Sequence, residues 1–404
     1  MNSRLTWRAR AGVAGARGVN ALSRLLRRGS GTVAGGRVGL RLDPSLLTQL
    51  SRGRHVIVVS GTNGKTTTSA MLRAGWGGEV AGNVTGANMP PGHVAALVAS
   101  PVSRAVLETD EAWLATVVRE VSPEVVVVLN LSRDQLDRAN EVRQMAQRWR
   151  ECLNGQRYEG VVVANAADPL VVYAAEMARD VRWVDVPAAW RGDAASCPHC
   201  TRPIIFTATS WSCPCGFAQP TQVSARLTET LEIDGHSYEL DLGLPGKFND
   251  VNAALAVTAL AQLGVDTTSA LERIRALTTV QGRYGRRQYH GRAVRLLLAK
   301  NPAGTAALLD SLAGAREVWI AINAQVADGK DPSWLYDVPF ERLADTYVRC
   351  LGERRLDLAT RLTYVNVACE VVDDPATLGR DDTEVTVVAN YTAFREWMDR
   401  TTPC

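Results

Sequence analysis

Apolar runs separated by polar turns set out the plan of this 404-residue chain. Short runs rich in valine and isoleucine each end in polar residues, and stretches of helical character lie between them. Buried parallel strands are continuous apolar runs, and α/β proteins bind ligands at the carboxyl ends of such strands. The pattern predicts strands at residues 55–60, 105–110, 124–132, 160–169, 293–304 and 317–324. It therefore predicts a doubly wound α/β protein.

The turn after the first strand combines the parts of a phosphate-binding loop. Gly61 and Gly64 let backbone N–H groups approach an anion, and the following helix start adds a positive dipole end. Lys65 can reach the outer phosphates of a nucleotide, and Thr66 can bind Mg²⁺. The spacing is shorter than in the general P-loop, and a plain glycine turn is the alternative. We predict a nucleoside triphosphate here.

Other polar residues follow strands or begin helices where they can serve the same ligand. Glu108, at the end of a strand in LETDEA, can hold Mg²⁺, although an acid at a helix start is the alternative. Asn249 and Asn252 can recognise a base edge or simply cap their helix. Arg283 lies between glycines in a hinge-like segment and can reach phosphate, and Lys300 ends the strand predicted at 293–304.

The segment DGKDPSWLYD carries three acids on a loop after the strand predicted at 317–324. They are Asp328, Asp331 and Asp337. A solvated acidic loop is the alternative, but loops at strand ends are also where functional residues concentrate.

Two cysteine pairs interrupt the α/β pattern and predict a zinc ribbon. Cys197 and Cys200 have the usual two-residue gap, whereas Cys213 and Cys215 are separated by one residue. His199 is a spare candidate ligand. A closed structural site with four cysteines is favoured over unconnected thiols.

Charge is uneven along the chain, although the net charge is only +3 and argues against a general polyanion binder. No acidic residue precedes Asp43, while nine arginines do. A helix over residues 5–28 is predicted in this basic arm, and it sits on an anionic membrane, docks on the body or stays solvated. Lysine occurs only at positions 65, 247, 300 and 330, each within a segment singled out as a motif.

Cellular location follows from the missing targeting signals. The sequence shows no apolar run of membrane-spanning length and no secretory signal. We therefore expect a cytoplasmic chain whose eight cysteines do not form disulfides.

These motifs, in this order, resemble the Mur ligase family over about residues 44–404. GTNGKTT is similar to the family's ATP loop, LETDEA to its magnesium-binding segment, and LPGKFNDVNAALA to its adenine segment. GRYGR is similar to the hinge whose arginine meets the γ-phosphate, and AKNPAG to the start of the C-terminal domain. The resemblance implies the following ATP-binding residues: Gly61, Thr62, Asn63, Gly64, Lys65, Thr66, Thr67, Asn249, Asn252 and Arg283.

The resemblance also implies the domain plan. A basic arm at 1–43 precedes a Mur ligase-like central P-loop ATPase domain at 44–285, with the zinc ribbon inserted at 196–217. A Rossmann-like α/β domain follows at 286–404. ATP and Mg²⁺, the latter on Thr66 and Glu108, are the implied cofactors beside a structural Zn²⁺.

Departures from the family pattern narrow the resemblance. The N-terminal domain that binds UDP is missing, Gln135 replaces the usual histidine, and no lysine lies between Lys65 and Lys247 to match the family's carbamylated lysine. Leu297 and Lys300 stand where the ligases have aspartate and histidine. These departures resemble the branch formed by the synthetase subunits of lipid II isoglutaminyl synthase.

That branch implies ATP-dependent amidation of the D-glutamate α-carboxylate of lipid II to D-isoglutamine, through an acyl phosphate. Ammonia would come from a glutaminase partner, GatD, since no cysteine here lies in a glutaminase-type elbow. Asp337, then Asp331, is the implied acid at the junction with the partner, and Lys300 would close on the phosphoryl group. A lipid-linked substrate would bring the basic arm to the inner face of the membrane.

Two alternatives remain at this point. One is a stand-alone amino-acid ligase of the Mur or folylpolyglutamate type, which would need no partner. The other is a nucleic-acid binder built from the P-loop and the ribbon, but the ribbon has few basic neighbours beyond Arg191 and Arg202.

Overall fold

The computed structural model describes residues 5–25, 32–83, 87–133, 141–187, 190–280, 284–312, 314–377 and 384–403. Within these ranges the strands form a nine-stranded sheet, a seven-stranded sheet and a two-stranded hairpin. The helices of the same ranges are α1 (Trp7–Leu25), α2 (Thr32–Leu42), α3 (Leu46–Ser51), α4 (Lys65–Trp76), α5 (Pro90–Ala99), α6 (Leu114–Val121), α7 (Glu141–Leu153), α8 (Pro169–Ala175), α9 (Lys247–Ala261), α10 (Thr267–Arg275), α11 (Pro302–Asp310), α12 (Arg355–Tyr364) and α13 (Tyr391–Arg400).

The nine-stranded sheet is mostly parallel. Its strands and those of the hairpin are β1 (His55–Ser60), β2 (Ala81–Gly82), β3 (Arg104–Glu108), β4 (Val125–Val128), β5 (Val161–Asn165), β6 (Asp180–Asp185), β7 (Ile205–Phe206), β8 (Trp211–Ser212), β9 (Ala225–Leu227), β10 (Leu231–Ile233) and β11 (His236–Tyr238). The order is β11-β10-β9-β6-β5-β4-β1-β3-β2, in which β10 and β11 are antiparallel additions at one edge. Strands predicted from the first four apolar runs are confirmed as β1, β3, β4 and β5.

Alternation along β1 explains how the sheet holds helices on both faces. Val56 and Val58 pack with α3, α5, α6, α7 and α8, whereas Ile57 and Val59 pack with α4, α9 and α10 on the opposite face. Each fully buried aliphatic side chain contributes about 1.5–3 kcal/mol relative to exposure. Two apolar faces on one short strand therefore fix it at the centre of a three-layer structure.

The seven-stranded sheet forms a second α/β layer. Its strands are β12 (Tyr284–Tyr289), β13 (Arg292–Leu298), β14 (Glu317–Ala321), β15 (Tyr347–Leu351), β16 (Cys369–Val371), β17 (Val385–Ala389) and β18 (Thr402–Pro403). The order is β16-β15-β14-β17-β13-β12-β18, parallel from β16 to β13 and antiparallel beyond. Helices α11 and α12 cover one face, and α13 covers the other. The last two predicted strands are confirmed as β13 and β14.

The helix predicted over residues 5–28 is confirmed as α1, and the N-terminal arm has a second helix, α2, that the sequence analysis did not predict. Helices α1 and α2 pack against each other, and α2 packs on α5, so the described part of the arm is docked on the body. A Cβ atom on Gly36 would lie 1.8 Å from the carbonyl oxygen of Pro91. The backbones of α2 and α5 therefore touch where a side chain would separate them. None of the described helices is both long and apolar enough to cross a bilayer.

This contact gives a test of the docked hairpin. We expect Gly36→Ala to lower the free energy of unfolding by about 1–3 kcal/mol, because the added methyl overlaps the Pro91 carbonyl. Thermal unfolding followed by circular dichroism measures the effect. Gly18→Ala is the control, since no atom lies within 4 Å of a Cβ there and alanine favours a helix over glycine. Equal midpoints for the two variants would contradict the packing of α2 on α5.

Candidate active site

The turn between β1 and α4 has glycines where other residues would be strained or would collide. Gly64 has a φ of 87°, and a Cβ atom there would lie 2.4 Å from Asn252 Oδ1. Gly61 has a φ of 150°, and its Cβ would lie 2.8 Å from that of Leu129. Helix α4 begins directly after this turn, so its first N–H groups and its positive dipole end face the loop. The loop is therefore shaped to hold an anion.

Lys65 is folded over this loop and is only 5 % exposed. Its Nζ donates to the carbonyl oxygens of Gly61 and Thr62, and it forms an ion pair of 3.0 Å with Glu111 Oε2. A buried ammonium group needs such partners, and a phosphate on the loop would supply another one. Lys65 is thus placed to exchange a carboxylate for a phosphate. The sequence analysis did not single out Glu111, although it lies within LETDEA.

Thr66 and Glu108 supply neighbouring oxygen atoms beside the loop. Thr66 Oγ1 lies 3.1 Å from Glu108 Oε1. Asn83 holds the Glu108 backbone by accepting from its N–H at 2.9 Å and donating to its carbonyl at 2.8 Å, and His93 Nε2 donates to the same carbonyl. Burial lowers the pKa of His93 to about 4, so its ring is neutral. A hydroxyl and a firmly held carboxylate are a donor set that fits Mg²⁺.

Asn63 connects the loop to the second sheet. Its side-chain amide exchanges two hydrogen bonds of 3.2 Å with that of Asn301, which is fully buried and caps α11 through the N–H of Gly304. On the other side, Asn130 accepts from the Asn63 N–H at 2.9 Å and donates to its carbonyl at 3.0 Å. The phosphate-binding loop is therefore held by residues of both the first and the second sheet.

A cavity lies between the loop and the start of the second sheet. It is lined by predicted site residues from both sides, namely Thr62, Asn63, Gly64, Lys65, Thr66, Thr67, Asn249, Asn252 and Lys300. Its remaining wall is largely apolar and includes Pro187, Trp190, Phe248 and Tyr284, none of which the sequence analysis named. Flat apolar side chains next to a phosphate loop suit the ring of a nucleobase. Arg283 and Gln135 lie outside the described residues.

Asn249 and Asn252 do not cap their helix. Helix α9 begins after Gly246 without a side-chain cap, and Asn249 Nδ2 donates back to the Pro245 carbonyl at 2.7 Å. Asn252 donates to Asn249 Oδ1 at 3.2 Å, and its own oxygen faces Gly64. The two amides are buried at the cavity, where capping does not explain them.

Lys300 belongs to the same charged neighbourhood as the loop. Burial and the adjacent Glu111 raise the pKa of Asp110, whereas Lys65 and Lys300 lower it. Lys65, at the start of α4, and Lys300, after β13, therefore both act electrostatically on Asp110.

The three acids of DGKDPSWLYD have different surroundings. Asp328 is buried and accepts a hydrogen bond of 2.9 Å from the Thr392 N–H. Asp331 caps the short 3₁₀ turn Pro332–Asp337 by accepting from the Ser333 N–H at 2.9 Å, and this hydrogen bond lowers its pKa. Asp337, at the end of that turn, is 37 % exposed and reaches towards the first sheet.

Arg133 links Asp337 to the nucleotide loop. It pairs with Asp337 Oδ2 at 3.3 Å and also with Asp193, which accepts from Trp190 Nε1 at 2.6 Å in the cavity wall. The preceding residue, Ser132, donates its N–H to Thr62 Oγ1 at 3.0 Å. A chain of polar contacts thus runs from the loop to Asp337.

The four cysteines converge at the base of the β7–β8 hairpin. All the sulfur atoms of Cys197, Cys200, Cys213 and Cys215 lie within 4.8 Å of one another. Tetrahedral Zn²⁺ with bonds of about 2.3 Å holds its sulfurs about 3.8 Å apart, so the set fits zinc even with the shortened second pair. His199 instead turns away and lies 2.8 Å from Glu176. It is therefore not the spare ligand that its position suggested.

Metal analysis tests this site. We expect one zinc ion per chain in the purified protein, since four thiolates close a structural site. Cys200→Ser should lose most of the zinc and lower the thermal midpoint, because the ribbon depends on the metal for its fold. Cys369→Ser, a thiol far from the cluster in sequence, should keep it. If the wild-type protein contains no zinc and is as stable as the zinc-loaded protein, a structural zinc is excluded.

Comparison with known families matches both sheets. Residues 59–190 match the Mur ligase middle domain, and residues 298–394 match a family described as MurT ligase C-terminal. The subunit MurT of lipid II isoglutaminyl synthase from Staphylococcus aureus (strain COL) is 28 % identical, with 87 % of this chain and 88 % of that protein covered. The MurT subunit from Streptococcus pneumoniae is 27 % identical, and 93 % of each chain is covered.

Solved structures share the fold. A pseudomurein peptide ligase type C from Methanothermus fervidus has a TM-score of 0.67 at 18 % identity, covering 86 % of this chain and 78 % of the other. MurF ligase from Thermotoga maritima in complex with ADP has a TM-score of 0.61 at 14 % identity, covering 90 % and 83 %. The predicted α/β fold of Mur ligase type is confirmed.

Proposed function

The chain belongs to the Mur ligase family, and from that premise we propose that it is the synthetase subunit of a lipid II isoglutaminyl synthase. It is an ATP-dependent ligase that forms a carbon–nitrogen bond on lipid II, a precursor of peptidoglycan. The observation that carries this proposal is the similarity to MurT subunits over 87–93 % of the chain, including a MurT-type C-terminal region. The match of residues 298–394 to the MurT-type C-terminal family is what favours this proposal over a stand-alone ligase.

We place ATP in the cavity between the two sheets. Its phosphates lie on the loop from Gly61 to Thr67, and its base lies between Asn249 and Asn252 and the apolar wall. Support comes from the orientation of the loop amides, from Lys65 and from the ADP complex of a structural relative. Thr66 and Glu108 would hold Mg²⁺, which would supply positive charge to stabilise the transferring phosphoryl group.

The proposed reaction has two steps that use one site. A carboxylate oxygen of the D-glutamate residue attacks the γ-phosphorus of ATP, which forms an acyl phosphate and releases ADP. The nitrogen lone pair of ammonia then attacks the acyl carbon, phosphate leaves with the C–O bonding electrons, and the nitrogen loses a proton. Lys65 and Lys300, which both line the cavity, counter the negative charge of the phosphoryl group. Arg283, which lies outside the described residues, is given the same role by the family resemblance alone.

The proposed nitrogen source requires a partner protein. Ammonium, the main form at neutral pH, has no free lone pair, so only the small fraction of neutral ammonia in an ammonium salt can react. A partner that releases ammonia from glutamine would supply the reactive form directly. We assign this role to the glutaminase GatD. Asp337 is our first choice for the acid that orients a catalytic histidine of the partner or guides ammonia, because it is partly exposed and faces the nucleotide side. Asp331, engaged in capping, is the second choice.

An aromatic surface beside Asp337 suits such a partner. Tyr336 and Tyr364 are 55 % and 73 % exposed with ring centroids 6.3 Å apart, and Leu356 is exposed on the same helix as Tyr364. Exposed tyrosines with little conformational freedom are typical of protein interfaces. We place the glutaminase on this surface.

Amidation of lipid II measured by mass spectrometry tests the proposal. The chain is incubated with lipid II and Mg-ATP, with ammonium salt or with glutamine and the glutaminase. We expect the amide with ammonium alone, and with glutamine only when the partner is present. No amide under either condition, together with ATP turnover stimulated by a free amino acid, would favour the stand-alone ligase.

A further inference from the structure

We propose that the outer face of the α1–α2 hairpin is a docking surface for an anionic lipid bilayer. The biological sense of this inference rests on the proposed function, because a lipid-linked substrate is reached from a membrane surface. Its physical basis lies in the hairpin itself.

The inner side of the hairpin is already used by the protein. Ala9 and Ala16 of α1 are fully buried, and a Cβ on Gly12 would lie 3.0 Å from the Gly39 carbonyl oxygen. The contact of Gly36 with Pro91 fixes α2 on α5. The hairpin is therefore a firmly held element whose orientation decides what its other side meets.

The outer side of α1 presents a second apolar stripe. Its exposed residues at helical spacing are Trp7, Ala11, Ala14, Gly18, Ala21 and Leu22. The two large side chains at the ends, Trp7 and Leu22, are 78 % and 55 % exposed. Small residues between them let a helix axis lie close to a surface, and tryptophan favours the membrane interface. If the exposed side of α1 faced only water, this apolar stripe would have no partner.

Charge on the hairpin has a single sign. Exposed arginines occur on both helices. Arg8, Arg10 and Arg17 flank the stripe on α1, where Arg17 also donates to the Val98 carbonyl at 3.5 Å, and Arg37 and Arg41 lie on α2. The first acidic residue is Asp43, which is buried and accepts hydrogen bonds from Ser45 and Gln49. Each arginine near an anionic membrane adds to binding, and together with a buried apolar stripe this provides the two signals that stable peripheral attachment requires.

A nucleic acid is the other polyanion that arginines attract, but it fits this surface less well. Phosphate contacts would use the arginines and leave the exposed tryptophan and leucine in water. On a bilayer the same orientation satisfies both the arginines and the apolar stripe. We therefore commit to an anionic bilayer.

Sedimentation of the full chain with lipid vesicles tests the proposal without nucleotide, lipid II or partner. Vesicles contain phosphatidylcholine alone or with about one third phosphatidylglycerol. We expect binding to the anionic vesicles, weakening as salt is raised, and at least about tenfold weaker binding to the neutral ones.

Two double variants separate charge from apolar contact. Arg10→Glu with Arg17→Glu should weaken binding at least about tenfold, and Trp7→Ser with Leu22→Ser should weaken it about tenfold at unchanged charge. Arg148→Glu with Arg395→Glu, exposed on α7 and α13, is the matched charge control. Met177→Ser with Tyr391→Ser is the matched apolar control. Both controls should bind as the wild type does.

The result for the wild-type protein alone can contradict the proposal. The test therefore does not depend on whether every variant folds. Absent binding, or equal binding to both vesicle types, would exclude an anionic-lipid surface. Binding to duplex DNA that is lost with the arginines but kept without Trp7 and Leu22 would show a nucleic-acid surface instead. Vesicle binding without any amidation of lipid II would leave this inference standing and refute the proposed function.

Discussion

Lys65→Met should lower ammonium-driven amidation of lipid II by about 10²–10³-fold, because it removes the cation that meets the transferring phosphoryl group. In the structure its ammonium lies on the loop and is held by two carbonyls and Glu111. Methionine fills a similar volume without a charge, so the loop should keep its shape. Single-turnover amidation followed by mass spectrometry measures the loss.

A matched control separates this effect from the loss of a lysine in general. Lys330→Met removes an exposed lysine outside the cavity and should keep ammonium-driven amidation within about twofold. Lys65→Arg should not restore activity, because a forked guanidinium does not replace a compact ammonium in this buried position. If Lys65→Met keeps more than about a tenth of the wild-type activity, Lys65 does not act in phosphoryl transfer.

Asp337→Asn should divide the reaction into two parts. Glutamine-driven amidation with the glutaminase present should fall by about 10²–10⁴-fold, the range seen when an acid that orients a catalytic histidine loses its charge. Ammonium-driven amidation should stay within about twofold, since Asp337 does not line the cavity. Release of glutamate and formation of the amide are measured in the same samples.

Asp331→Asn decides between the two acids of this loop. Its capping bond to Ser333 predicts a stability loss of about 1 kcal/mol and a smaller effect on glutamine use than at Asp337. A larger loss of glutamine-driven activity at Asp331 would transfer the junction role to that residue. If Asp337→Asn loses both glutamine-driven and ammonium-driven amidation, the variant has a general defect in its domain instead.

Local features of the sequence were sufficient for strands β1, β3, β4, β5, β13 and β14, for the loop and for the convergence of the four cysteines. The valine runs of β1 and β4 bury side chains on both faces, and a strand buried on both faces needs consecutive apolar residues, which the sequence shows directly. Gly64 and the cysteines are equally local, because a positive φ and a metal knuckle each need particular residues at fixed spacing.

Contacts between distant segments had no such signal. Asn63 and Asn301 lie 238 positions apart, and neither asparagine differs from an ordinary loop or cap residue in the sequence. Asn83, His93 and Glu111 support the site in the same way, through tertiary contacts. Helix α2 was missed for a related reason. Adjacent glycines disfavour a helix, and only tertiary contacts explain them: Gly35 approaches Asn20 and Ala16, and Gly36 approaches Pro91.

The paired amides of Asn63 and Asn301 have a thermodynamic consequence for the whole assembly. Swinging the second sheet away breaks both hydrogen bonds to the nucleotide loop and separates Arg133 from Asp337. Any ligand that favours one arrangement of Asn63 therefore changes the fraction of molecules in which Asp337 is paired with Arg133. A protein that binds Asp337 in only one of these arrangements changes the affinity for ATP, and by reciprocity ATP changes the affinity for that protein by the same factor. The glutaminase would then be an allosteric effector of nucleotide binding as well as a source of nitrogen.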